Sequence, residues 1–199
     1  MKRIMNILLI VLGVGALLFL VLQGINKRSL KNIETYPYEV LKEFDSFEIR
    51  QYEASLFTSV TMNTSKYEEA SSRGFSKLAG YIFGKNQTNE KIAMTSPVAM
   101  TLEDSMTMMF MVPKKYKKED LPEPKEGGIS FEEVPAKKMA AIRFGGWANT
   151  EKIDRYKQQL KSALAKEGIS HGNNFFYLGY NPPYDMINRR NEIVVEVLE

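Results

Sequence analysis

Residues 47–82, FEIRQYEASLFTSVTMNTSKYEEASSRGFSKLAGYI, can be laid over residues 131–166, FEEVPAKKMAAIRFGGWANTEKIDRYKQQLKSALAK, at a separation of 84. Identities are few. What the two share is a pattern: a strand-like stretch, a second alternating stretch, then a helix. The pattern continues, with MTMMFMV (106–112) over NEIVVEV (191–197) at a separation of 85 and KIAMTSPVAM (91–100) over NFFYLGYNPPY (174–184), proline in both. A unit that cannot bury its apolar face alone must pair with its copy. The order β-β-α-β-β written twice predicts about eight strands and two helices, an α+β protein rather than a doubly wound one. The halves run over about 36–113 and 129–199. Their sheets should pair into a curved or closed barrel with the helices outside or across an opening. A groove at the pseudo-twofold junction is then the natural ligand site, because concave apolar pockets collect at such joints.

Periodicity places the helices. In the first, Tyr67, Ala70, Gly74, Leu78 and Ile82 recur at three- and four-residue steps, and Ser65 followed by Glu68 has the form of a capping box. In the second, Ile153, Tyr156, Leu160 and Ala163 share a face, Asn149 or Thr150 can cap the start, and Gly168 can end it. Pro97 interrupts an alternating run, and proline is confined to sheet edges and bulges. It should mark a bulge or edge, with Pro182–Pro183 as its counterpart and Met94 facing inward.

Charge excludes one class of partner. The net charge is +3, and outside Lys2 and Arg3 the chain carries 25 basic against 24 acidic residues. The basic run KKYKK (114–118) is followed by Glu119, Asp120, Glu123 and Glu126. Nucleic-acid binders present an uncompensated basic face, so no nucleic-acid partner is expected. The absence of cysteine removes disulfides, thiolate catalysis and thiolate metal sites.

Residues 4–25, IMNILLIVLGVGALLFLVLQGI, approach the roughly 20 residues that span hydrocarbon. A secretory signal would have a shorter apolar core and a small-x-small cleavage site, and no such site precedes Lys27. The run therefore reads as an uncleaved single-pass transmembrane anchor, residues 1–26, with a linker over 27–35 and a folded domain over 36–199. Lys2 and Arg3 before it, against Lys27, Arg28 and Lys31 after it, decide orientation weakly; the short basic tail suits an exported, extracytoplasmic domain.

No catalytic constellation stands out. There is one histidine, His171, so no H-E-x-x-H, and neither a G-x-S-x-G elbow nor a phosphate-binding loop is present. The chain is read as non-catalytic. His171, in GISHGNN, is the chain's one imidazole, the commonest haem or metal ligand. Six methionines, 94, 100, 106, 108, 109 and 111, lie on two adjacent predicted strands; they suit a core or a pocket for a large flat ligand. Arg73 and Lys77 share the polar side of the first helix. Gly74 and Gly80, each costing about 1 kcal/mol in a helix, point to close approach by a strand or a planar molecule. Arg189 and Arg190 precede the last strand, and a guanidinium clamps a carboxylate with two parallel hydrogen bonds.

Four stretches, GFSKLAGYIFGKN (74–86), KIAMTSPVAM (91–100), GYNPPYD (179–185) and RRNEIVVEV (189–197), resemble in order and spacing the SOUL haem-binding proteins. The resemblance runs from about Tyr36 to Val197. It implies a twisted β-barrel of two pseudo-symmetric halves with two flanking helices, similar also to gyrase-inhibitor-like and effector-binding domains. It implies non-covalent binding of haem or a related tetrapyrrole at an apolar surface beside the first helix, with basic residues on the propionates. Carried over position by position, the site comprises Arg73, Lys77, Leu78, Ala79, Met94, Arg189 and Arg190; Ala79 stands near a methionine of some relatives. No histidine stands where some relatives have a proposed axial ligand, so apolar contact and propionate pairing carry the binding. The whole is a membrane-anchored carrier, buffer or sensor. The alternatives are a receptor for another amphipathic small molecule in the groove, or a cryptic hydrolase or haem-modifying enzyme.

Overall fold

Apolar residues on both sides of a strand demand cover on both faces of the sheet, and that requirement shapes this molecule. The structure, a computed structural model, describes residues 33–198 apart from 183, 184 and 186. The expected anchor over 4–25, most of the linker and Pro183 lie outside the described residues. Among those described, no helix is long and apolar enough to cross a membrane. The folded unit begins at Glu34.

The elements are β1 (Tyr38–Glu43), β2 (Glu48–Tyr52), β3 (Ser55–Met62), α1 (Tyr67–Ile82), β4 (Val98–Thr101), β5 (Met106–Met111), β6 (Ser130–Val134), β7 (Lys137–Phe144), α2 (Thr150–Lys166), β8 (His171–Gly179) and β9 (Asn191–Val197). All strands join one nine-stranded sheet in the order β1-β2-β7-β9-β8-β4-β5-β3-β6, antiparallel throughout. Leaving out β1, the order reads the same from either end when β2 is exchanged with β6, β7 with β3, β9 with β5 and β8 with β4. The repeat thus closes on itself at the β4–β8 pair, where Val98 faces Gly179 and Thr101 faces Phe176. The sheet is curled but stays open at β1 and β6, a half-barrel rather than the closed barrel expected. β1 is a ninth strand outside the repeat, and it is mostly exposed.

Both helices cover one face. Against them lie Val60, Met62, Met108, Phe110, Ile142, Phe144, Phe175, Tyr177, Ile193 and Val195. The odd-numbered residues of β3 and β5 and their partners point the other way, where Phe57, Ala99, Met109, Met111, Met139, Ala141, Leu178 and Val194 form a second buried cluster. Met100, Met106 and Met108 therefore belong to the helix side, Met109 and Met111 to the other, and Met94 is half-buried against the helix-side core.

Two local expectations are corrected. Pro97 is buried, follows a cis peptide bond from Ser96, and stands just before β4. Ser96 donates its N–H to Glu34 O at 2.9 Å and accepts from Tyr36 N–H at 2.8 Å, so the arriving chain, not a bulge, occupies that place. Pro182 comes after β8, not before it. The two prolines lie at one end of an antiparallel pair and are not equivalents in the repeat. His171 opens β8 opposite Val197 rather than lying in a loop, with a register shift between it and Phe175.

Candidate functional site

α1 is held against the sheet by the closest approach a helix allows. A Cβ on Gly74 would lie 2.9 Å from Met62 Cε and 3.1 Å from Met108 Cβ, so the glycine meets a strand. Its N-terminus is fixed by neighbours rather than by the expected Ser65. Lys66 N–H donates to Thr64 Oγ1 at 3.2 Å, and Tyr67 N–H donates to Thr150 Oγ1 at 3.3 Å. Thr150 in turn donates its N–H and hydroxyl to the Glu68 carboxylate at 2.9 and 2.7 Å. The two helix starts are thus stitched together at the joint between the halves. The Thr150 N–H, then its hydroxyl, hold the Glu68 carboxyl below the usual carboxylate range. Asn149 caps α2 as expected, accepting from Lys152 N–H at 2.8 Å.

The outer surface of α1 carries Arg73, Phe75, Lys77 and, at its C-terminal end, Phe83, 60% exposed. Phe75 and Phe83 are eight residues apart, hence about 80° apart around the helix at 100° per residue, with Ser72 and Ala79 between them; farther round, the Lys85 side chain lies over Gly80. Arg73 is exposed and, among the described residues, pairs with Glu69, at 2.8 Å one turn back, a surface contact weakened by solvent. Lys77 lies on the same side as Arg73. Leu78 is wholly buried on the stripe shared with Gly74 and Ile82 that faces the sheet, and Ala79, about 100° round from it, is nearly buried. Met94 lines a cavity of only about 10 Å³ with Thr58, Ile82, Ile92 and Phe110, too small for any ligand.

The RRNE stretch is committed elsewhere. Glu192 is fully buried on the side away from the helices. It accepts from Arg50 at 2.7 and 3.2 Å, from Arg190 Nε at 2.9 Å and from Tyr180 Oη at 2.8 Å. Tyr52 accepts from Arg50 at 3.0 Å and Tyr38 from Arg190 at 2.8 Å. Arg50 lies over the Tyr38 ring and Arg190 over Tyr180. Burial alone would push the Glu192 carboxyl up; the hydrogen bonds and charge of Arg50, with Arg190 and Tyr180, outweigh it and hold the carboxyl below the usual range. Burial raises Tyr180 and Tyr52 well above an ordinary phenol, and Tyr36 to about 12. Arg189 donates to the carbonyls of Asn181, Pro182 and Asp185 and stacks on Trp147 at 4.1 Å.

Sequence reasoning missed Arg50 and the tyrosines around it. The available signal was a charged residue at an apolar strand position, Arg50 beside Ile49 and Glu192 beside Ile193, since a buried charge requires a partner. The partners are 142 residues apart, so no spacing reveals them.

The structure thus brings Arg73 and Lys77 together on one surface, and sets Arg189 and Arg190 in two separate networks. The expected groove at the junction is filled, by the helix starts on one side and by Ala99, Met109, Leu178 and Val194 on the other. A shallow cleft of about 650 Å³ lies instead along one flank of α2, lined by Ser46, Ile142, Arg155, Gln158, Gln159 and Ser162. His171 holds its Nδ1 2.6 Å from Gly172 O and its ring edge-on to Phe175. Among the described residues no group of three or more acidic, histidine or cysteine side chains could hold a metal ion.

Two equivalent half-sheets joined edge to edge, both helices on one face, define a class of fold. The EcmrR C-terminal domain shares it, with a TM-score of 0.61 at 11% identity over 81% of this chain and 98% of that one. So does a hydrolase from Listeria innocua, with a TM-score of 0.57 at 9% identity over 79% and 94%. Within that class the model of the SOUL heme-binding protein family matches residues 33–196, and the chain belongs to that family. Heme-binding protein 1 of Xenopus laevis is 29% identical over 160 residues, 76% of this chain and 84% of the relative. Heme-binding protein 2 of Homo sapiens is 29% identical over 157 residues, 74% and 76%.

Proposed function

We propose that this protein binds haem or a related tetrapyrrole, non-covalently and without catalysis, on the outer surface of α1. The observation that carries the reading is the pair of exposed aromatics on α1, Phe75 and Phe83, with Arg73 and Lys77 farther round the same helix, in a chain of the SOUL family. A flat macrocycle covers exposed aromatic surface, and its propionates meet the cations. Arg73 is free to turn to them because its bond to Glu69 is weak. Leu78 and Ala79 serve by holding the helix on the sheet, and Arg189 and Arg190 by holding the far side together. Met94 packs and does not touch the ligand. The buried carboxylate, Glu192, has its oxygens occupied by Arg50, Arg190 and Tyr180, which argues for binding rather than acid–base chemistry. Residues 4–25 would tether the domain to a membrane, on the extracytoplasmic side, where it would act as a carrier, buffer or sensor.

Haemin titration followed at the Soret band tests this. Wild type should give a saturable one-to-one shift. Arg73→Glu combined with Lys77→Glu should weaken it roughly tenfold, the loss of about 1.4 kcal/mol of charge pairing. Arg155→Glu on the outer side of α2 and His171→Ala should leave it unchanged. A loss on Arg155→Glu would move the ligand to the cleft beside α2, a loss on His171→Ala would make the imidazole an iron ligand, and no saturable shift would end the haem reading.

A further inference from the structure

We infer that the end of the sheet at which the chain enters the folded unit docks on an anionic bilayer surface, through Lys115, Lys117, Lys118 and Trp147. The inference rests on the proposal that residues 4–25 are a membrane anchor. Eight residues, 26–33, separate that run from Glu34, and eight residues reach at most about 29 Å fully extended. Three of them, Lys27, Arg28 and Lys31, are basic.

The basic loop is fastened to the entry point. Lys114 N–H donates to Glu34 Oε1 at 2.9 Å, and the Lys114 ammonium is on Glu53. Lys115, Lys117 and Lys118 are exposed, and Tyr116 fixes the loop by donating its hydroxyl to Glu90 at 2.7 Å. Glu119 and Asp120 stand in the same turn as Lys118, with Asp120 Oδ2 accepting the Lys117 N–H at 3.1 Å, and Glu123 belongs to the stretch returning along the end of α1, where Tyr81 Oη donates to Pro122 O and Gln87 N–H to Glu123 O.

The strand register gathers other loops at the same end. Val98 pairs with Phe110 and with Gly179, Gly179 with Asn191, and Asn191 with Phe144. The connections after β5, β8 and β7 therefore leave from one end of the sheet. Ser96, bonded to Glu34, also donates its hydroxyl to Tyr180 O at 3.3 Å. Beyond Tyr180, Arg189 lies over Trp147, and Trp147 and Ile187 are each 54% exposed. An exposed tryptophan, an exposed isoleucine and a lysine cluster near a hydrophobic anchor are the elements of an interfacial contact: aromatic rings settle at the headgroup level, and lysines near an anchor are drawn to anionic lipid.

Trp147 is the chain's one tryptophan, so its emission reports the contact directly. The full chain would be reconstituted in phosphatidylcholine vesicles with and without phosphatidylglycerol, using lipids brominated on the acyl chains as quenchers. Vesicle flotation checks the anchor separately. Quenching of Trp147 with a shift to shorter wavelength in the anionic vesicles, lost without phosphatidylglycerol and lost in the triple variant Lys115→Glu, Lys117→Glu, Lys118→Glu, supports the inference. A chain that floats with the vesicles but leaves Trp147 unquenched overturns it, as does quenching that ignores both lipid charge and the triple variant. A chain that does not float overturns the anchor reading and takes this inference with it.

Discussion

The two halves of the sheet follow one path and spend equivalent positions on opposite ends. Arg50 in β2 pairs with Met139, and its counterpart Glu132 in β6 pairs with Phe57. Arg50 is buried in a charge cluster, whereas Glu132 accepts a hydroxyl from Ser59 at 2.7 Å. Glu192 in β9, opposite Arg143, corresponds to Thr107 in β5, opposite Thr61, and those two threonines share an exposed hydrogen bond at 2.8 Å. The helices differ in the same way. Tyr156 stacks on Phe144 under α2, while under α1 Gly74 lets Met62, the counterpart of Phe144, come within 2.9 Å of where a Cβ would sit. Outside, α1 shows Phe75 and Phe83, and α2 shows Arg155, Gln158 and Gln159. Duplicated topology fixes where strands run but leaves each face to be filled independently. Here one half took up the buried charges and the other kept the exposed phenylalanines.

Removing the charge cluster from β9 should have the largest effect. Glu192→Gln leaves the Arg50 and Arg190 guanidiniums short of their counter-charge and should cost about 3–5 kcal/mol, read as a lower urea midpoint. The control is Glu196→Gln on the same strand, whose pair with Lys137 is partly exposed and should cost less than about 1 kcal/mol. The pH dependence has a definite sign. The folded carboxyl of Glu192 is held below its unfolded value, so its contribution is present in full above the unfolded pKa of about 4.3 and is lost as pH falls through the lower folded value. The Glu192→Gln variant should therefore lose less stability than wild type between neutral pH and the acid limb. An equal acid loss in both proteins would place the acid sensitivity outside this cluster.

How much of this could be read in advance follows from the range of the signals. Both helices showed because Ala70, Gly74, Leu78 and Ile82, and Ile153, Leu160 and Ala163, repeat within a few residues. The pairing of halves showed because the repeat itself is a long-range signal. The open sheet did not, since closure depends on whether β1 meets β6 and neither edge advertises it; YEVLKE reads as an exposed stretch whether or not it pairs. Strand faces were obscured in MTMMFMV because both faces are buried, which erases alternation. Of the proposed site, the shared side of Arg73 and Lys77 was legible from helical spacing. Phe75 and Phe83 were not distinguished from core residues, and Leu78, which the periodicity puts on the buried stripe, entered the site through the resemblance alone.

A second contrast lies under the helices. Gly74→Val puts two methyl groups where Met62 and the backbone-proximal Met108 Cβ already stand, and overpacking of this kind costs about 1–3 kcal/mol. The Tyr156 position under α2 should respond the opposite way, with Tyr156→Ala losing stability by opening space beside Phe144 rather than by crowding. If Gly74→Val proved neutral, the close seating of α1 would not be what the glycine is for.

The smallest effects come from the helix starts, where the halves differ most plainly in means. Asn149 satisfies an N–H at the start of α2 with its own side chain, so Asn149→Ala should cost about 1 kcal/mol. Ser65 has the sequence of a cap, yet α1 takes its N-terminal bonds from Thr64 and from Thr150 across the joint. Ser65→Ala should leave the urea midpoint where it is. Thr150→Val removes the hydroxyl that accepts from Tyr67 and donates to Glu68, and should cost more than Ser65→Ala although it lies in the other half of the sequence. Thermal or urea unfolding of the three variants side by side decides the matter. If Ser65→Ala matched Asn149→Ala, each helix would be capped from within its own half, and the joint would be held by the β4–β8 pair alone.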